Sequence, residues 1–77
     1  MIRFVVTVGG ERASGGGMQR GTVTVEAWSK LDAAARALQV PAATVAWEDP
    51  ADAPATIDRA LAAEAEPAQA GIRDEEV

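Results

Sequence analysis

The chain has 77 residues, no Cys, no His, no Tyr and a net charge of −5. A chain of this length forms one domain at most, with a thin core, because it buries only about 60% of the surface it exposes when unfolded. Without imidazole or thiol groups, Ser-His-Asp and Cys-His catalysis and ordinary zinc or copper sites are excluded within this sequence.

The 48% hydrophobic content overstates the core, because eighteen of those residues are Ala. No disulfide framework compensates for the small size. Thin cores of this kind lean on a partner or a second copy, which leaves homo-oligomerisation open. The charge is uneven: residues 1–40 sum to +2 and residues 41–77 to −7. An acidic half repels phosphate backbones, so no direct nucleic-acid partner is expected. Abundant Ala, Arg, Gly and Glu beside a single Lys suits a GC-rich bacterial or phage coding sequence.

Ile2 to Val8 reads as a strand, with Ile2, Phe4, Val6 and Val8 on one face at period two. Its apolar run meets Gly9-Gly10 after a few residues, too short for a signal-peptide core or a membrane span. A cytoplasmic protein of a bacterial host cell is therefore expected. The segment Gly9–Arg20 reads as a long glycine-rich hairpin loop. Arg12, Met18 and Arg20 in and beside it are candidate partner contacts, the arginines as anchors and Met18 as an adaptable apolar group. The run Ser14-Gly15-Gly16-Gly17 also invites a phosphate- or nucleotide-binding reading. It joins two strands rather than opening a helix and lacks a P-loop ending, so a hairpin tip is preferred.

Gly21 to Trp28 reads as a second strand, with Val23, Val25 and Ala27 opposite Thr22, Thr24, Glu26 and Trp28. Trp28 and Trp47 each flank a strand end, where packing at the rim of the small core is expected; Trp28, on the polar face, is the better candidate for exposure and so for an interface anchor. Ser29 is the expected N-cap of a following helix, with Asp32 in capping-box position and Trp28 in the staple position. Leu31, Ala34, Ala35 and Leu38 form its expected apolar stripe, and Val40-Pro41 ends it. The joint from Val23 to Ser29 occurs in many unrelated small domains and marks no family.

Ala43 to Trp47 is the expected third strand, and Glu48-Asp49-Pro50-Ala51-Asp52 a turn. A second helix is expected from Ala53-Pro54, with Ile57, Ala60, Leu61 and Ala65 inward and Pro67 as its stop. The fold expected is a small α+β domain in the order β-β-α-β-α. It has a three-stranded, largely antiparallel sheet with both helices on one face. Residues 1–67 make the compact domain, and 68–77 form an acidic, loosely ordered tail that Ile72 docks weakly.

No catalytic residue, metal site or cofactor is expected. Glu48, Asp49 and Asp52 lack the spacing and glycine of a calcium loop. The expected activity is non-enzymatic protein binding. Glu48, Asp49, Asp52, Asp58, Glu64 and Glu66 would mimic nucleic-acid phosphates and occupy a basic protein surface. Phage anti-CRISPR or anti-restriction inhibitors work in this way, an analogy of class only. The alternative is a structural or assembly subunit, such as a virion accessory protein, with Trp28 and a sheet edge building contacts between copies.

Overall fold

The computed structural model describes residues 1–68 of the chain. Strands β1 (Ile2–Glu11) and β2 (Met18–Ala27) form an antiparallel hairpin in register from Ile2↔Ala27 to Glu11↔Met18. Helix α1 (Lys30–Ala37) follows, then a short strand β3 (Ala46–Trp47) and a long strand β4 (Arg59–Pro67). The order across the sheet is β3-β2-β1-β4, and every pairing is antiparallel. The protein is thus a small α+β domain with a four-stranded sheet and one helix, rather than three strands and two helices.

The hairpin runs further than the sequence pattern indicates. Gly9, Gly10 and Glu11 stay in the ladder opposite Arg20, Gln19 and Met18. The loop shrinks to the segment between Glu11 and Met18. It is closed by the Arg12 N–H on the Gly17 carbonyl (2.8 Å) and the Gly15 N–H on the Arg12 carbonyl (2.9 Å). Gly15 and Gly17 have φ of 79° and 100°, where a side chain would be strained.

Period-two alternation holds through β2 and from Phe4 to Val8 of β1, but Ile2, expected on the core face, is exposed at the strand's start. Phe4, Val6 and Val8 of β1 and Val23, Val25 and Ala27 of β2 are buried, while Arg3, Thr22, Thr24 and Glu26 stay exposed on the other face. Ala33 and Ala37 of α1, with Ala42, Val45, Trp47 and Ala65, close the core over that buried face. Gly21 marks a close approach: a Cβ there would lie 2.6 Å from Val45 and 2.8 Å from Trp47. Trp47 seats its indole N–H on the Ala42 carbonyl at 2.9 Å, so the ring is buried without an unpaired donor.

Ser29 caps α1 as expected, its Oγ accepting the Asp32 N–H at 3.1 Å. The Asp32 carboxylate in turn accepts the Trp28 N–H (2.9 Å) and the Arg36 Nε–H (3.0 Å). The buried stripe differs from the expected one. Ala33, Ala34 and Ala37 face the sheet; Leu31, Ala35 and Leu38 are exposed. Only Trp28 separates β2 from the cap, so the strand fixes the helix's rotation. Alanine on the seated side then lets the helix lie close to the strands.

The segment expected to be a second helix is β4. Residues 53–58 carry no regular structure, and Arg59–Pro67 pairs with β1 from Gly9↔Arg59 to Phe4↔Pro67. Alanine content favours a helix locally, but β1 has a whole edge of backbone N–H and C=O groups to satisfy on the side away from β2. Between the Val5↔Glu66 and Thr7↔Leu61 pairs, Val6 alone faces Ala62, Ala63, Glu64 and Ala65, a bulge that breaks period two. The expected third strand is mostly a 3-10 turn, Ala42–Thr44, before β3, although Val45 and Trp47 do share the buried side. The expected tail contacts at Ile72 lie outside the described residues. Among the described residues no helix is long and apolar enough to cross a membrane.

Candidate functional site

The acidic turn and the glycine-rich loop, expected as separate partner surfaces, grip each other. Asp49 caps the 3-10 turn Pro50–Asp52, accepting the Ala51 N–H at 3.2 Å. Asp52 then faces the hairpin loop. Its carboxylate accepts the Ser14 N–H (3.0 Å) and the Ser14 hydroxyl (2.9 Å). Arg12 Nη1 lies 3.4 Å from Asp52 and 3.6 Å from Asp49. The Ser14 hydroxyl is the main reason that the Asp52 carboxyl sits below its ordinary range. The Ser14 N–H and Arg12 add to this against an opposing desolvation.

Gln19 fixes the same junction from inside. It is 1% exposed, its Nε2 donates to the Asp52 carbonyl at 2.8 Å, and its Oε1 accepts the Asp49 N–H. Neither Ser14 nor Gln19 stands out in the sequence. Each is an ordinary polar residue whose partner Asp52 lies far along the chain, 38 and 33 positions away.

The remaining acidic candidates do not form one patch. Glu64 accepts both hydrogen bonds of Arg20 Nη2, at 2.8 and 3.0 Å, across the open sheet face. Glu48 follows β3 and Glu66 lies in β4, on opposite edges of the sheet. Asp58 precedes β4 and uses its N–H on the Gly9 carbonyl at 2.7 Å. Among the described residues, Glu48, Asp58 and Glu66 make no salt bridge. Arg12 and Arg20 are both already paired with carboxylates, so neither loop cation is available to a phosphate without breaking an ion pair.

Two shallow clefts lie on the open sheet face. One of about 250 Å³ is bounded by Thr7, Thr22, Arg20, Glu48 and Glu64. Its neighbour of about 350 Å³ is floored by Gly9 and walled by Met18, Leu61, Arg20 and Arg59. Met18, expected as an adaptable contact, therefore lines a cleft and is exposed. No group of His, Cys, Asp or Glu among the described residues could hold a metal ion.

Trp28 is 68% exposed, the placement expected for an interface anchor. The structure adds two residues that the sequence pattern assigns to the core: Leu31 is 75% and Leu38 44% exposed. Their signal is present but ambiguous. The helix carries two stripes at helical spacing, one of leucines and one of alanines, and periodicity alone does not say which one the sheet takes. No family model, curated protein or solved structure matches the chain.

Proposed function

We propose that this chain is a non-enzymatic protein-binding module that docks through the exposed flank of α1. One observation carries the reading. A protein with a core built largely from Val and Ala leaves Trp28, Leu31 and Leu38 in solvent. Burying each such side chain contributes roughly 1.5–3 kcal/mol, a large share of a small domain's stability. Trp is also enriched among the residues that dominate interface energetics.

The acidic version of the reading, an inhibitor of the phage anti-CRISPR or anti-restriction kind, has weaker support. Asp49, Asp52 and Glu64 spend their charge within the chain, and Glu48 and Glu66 lie on opposite edges. Its support is the net charge of −5, which favours encounter with basic surfaces.

The test is a pull-down with the full chain and two kinds of variant. Trp28→Ala and Leu31→Glu are expected to weaken partner capture at least tenfold. Glu48→Gln/Asp58→Asn/Glu66→Gln is expected to change it only slightly. Capture unaffected by both α1 variants overturns the reading. Loss of capture in the triple variant alone transfers it to the acidic surface.

A further inference from the structure

We propose that β4 is a releasable cover strand: it leaves the edge of β1 as a unit while the β1–β2 hairpin, β3 and α1 stay folded. The device lies apart from the α1 flank and does not rest on the docking reading.

Composition works against this strand. Arg59-Ala60-Leu61-Ala62-Ala63-Glu64-Ala65-Glu66 holds four alanines and two glutamates, residues depleted in strands, and no β-branched residue. All eight belong to the better helix formers. By contrast β2, on the other side of β1, alternates Thr and Val from Thr22 to Val25.

The hold of β4 on β1 is also interrupted. β2 pairs with β1 from Ile2 to Glu11 without a break. β4 pairs in two short runs, at Phe4 and Val5 and again from Thr7 to Gly9, and residues 62–65 between them oppose Val6 alone. Such a bulge leaves backbone groups outside the ladder. Little apolar burial compensates. Ala65 is the one fully buried residue of β4, and Ile57 and Ala60 pack only partly buried at the core's margin. The rest of the core, from Phe4, Val6 and Val8 to Val25, Ala33 and Trp47, comes from elements that stay behind.

The chain just before β4 can follow such a movement. Gln19 holds the Asp52 carbonyl at 2.8 Å, and Ser14 holds its carboxylate, so the Pro50–Asp52 turn stays anchored. Pro54 is buried over Gly10. Residues 55–58 then carry neither helix nor strand and provide the slack.

Release has a directional signature in β1. The Asp58 N–H donates to the Gly9 carbonyl and the Ala68 N–H to the Arg3 carbonyl, each at 2.7 Å. Odd-numbered residues of β1 therefore turn their backbone groups toward β4, and even-numbered ones toward β2. With β4 away, Val5, Thr7 and Gly9 are left as an open strand edge, while Phe4, Val6 and Val8 keep their partners in β2.

Hydrogen exchange of the full chain, followed amide by amide by NMR at increasing urea, tests this. The N–H groups of Val5, Thr7, Gly9 and Asp58 are expected to exchange through one common opening. That opening is expected to be about tenfold or more populated than the one that frees Phe4, Val6 and Val8, and less sensitive to urea because it exposes less surface. Leu61→Pro removes an N–H from the longer run of β4 pairs. In that variant the first group is expected to exchange near the unprotected rate while Phe4, Val6 and Val8 stay protected. A single opening shared by both groups in wild type overturns the proposal. So does exchange graded along β4 from one end, which is fraying rather than release of a unit. A Leu61→Pro chain in which Phe4, Val6 and Val8 also lose protection overturns it too, because the remaining elements then need β4 to stay folded.

Discussion

The two ends of this small domain treat their side chains in opposite ways. Where the hairpin loop meets the Pro50–Asp52 turn, polar groups answer one another: Arg12, Ser14 and Gln19 against Asp49 and Asp52. No buried side-chain nitrogen or oxygen among the described residues lacks a partner. On the open flank of α1, Leu31 is largely exposed and Leu38 partly so, and Trp28, just before the helix, is largely exposed as well. By its charge the loop–turn junction invites a functional reading, yet its polar groups are consumed internally. By its pattern the helix flank invites a structural reading, yet it is left open. In a chain with so few large apolar residues, an exposed Trp and two exposed leucines are the more informative departure from the expected, because exposed carboxylates are ordinary.

The largest expected effect comes from breaking the closed end. Gln19→Leu keeps the volume but leaves the Asp52 carbonyl and the Asp49 N–H without their partner. Each part-buried group left unpaired costs about 1–1.5 kcal/mol, so a loss of about 2–3 kcal/mol is expected in urea unfolding. An unchanged midpoint would mean that water replaces Gln19 and that the junction is no anchor. Next in size is Ser29→Ala, which removes the cap from the helix that carries the open flank. It is expected to lower stability by about 1 kcal/mol, read from thermal unfolding.

Acid should separate the two regions as well. The Asp52 carboxyl is held below its ordinary value of 3.8, chiefly by the Ser14 hydroxyl. A depressed native pKa stabilises the fold above the unfolded pKa, and that contribution is lost as pH falls through the lowered native value. Wild type should therefore lose part of its stability below about pH 4 through this group. Asp52→Asn should start less stable at neutral pH and show a flatter curve in that window. Melting temperatures from pH 2 to 7 measure both, and identical slopes for the two chains would show that the carboxylate is not the anchor of the loop. Asp32, held low mainly by the Trp28 N–H, contributes to the same acid loss, so the Asp52→Asn curve flattens without becoming level.

How legible each part is in the sequence follows from how local its cause is. β1 and β2 can be read because Val, Ile and Thr alternate over eight residues, and the Ser29 cap because its partner Asp32 is three positions away. β4 cannot. Ala60, Ala62, Ala63 and Ala65 suit a helix, and the bulge opposite Val6 erases the alternation that would have betrayed a strand. What makes it a strand is the unfilled edge of β1, more than fifty positions earlier in the chain, with Thr7 paired to Leu61. The site divides in the same way. Trp28 is only half legible: it continues the Thr22, Thr24 and Glu26 face, which points it outward, but a large ring in so small a chain is expected to pack at the core's rim. Leu31 and Leu38 cannot, because the choice between a leucine and an alanine stripe is made by the sheet. The acidic turn misleads for a related reason: Arg12 lies forty positions from Asp52, and no local pattern reveals that they meet.

The smallest expected effect is also the one that separates the regions most cleanly. Leu31→Ser replaces a leucine that is 75% exposed. If the flank were only a surface, the substitution would do nothing in any assay. If it is a docking face, folding and association must part company. In the chain alone, the unfolding midpoint should move by less than about 0.5 kcal/mol, because little buried contact is lost. With a captured partner in excess, wild type gains stability from mass action and the variant does not, so only the wild-type melting temperature should climb with partner concentration. Equal climbs for both chains would locate association elsewhere, with the edge of β4 the next surface to test. A variant destabilised in the chain alone would mean that Leu31 packs within its own chain and that the contrast between the two ends is weaker than its exposure indicates.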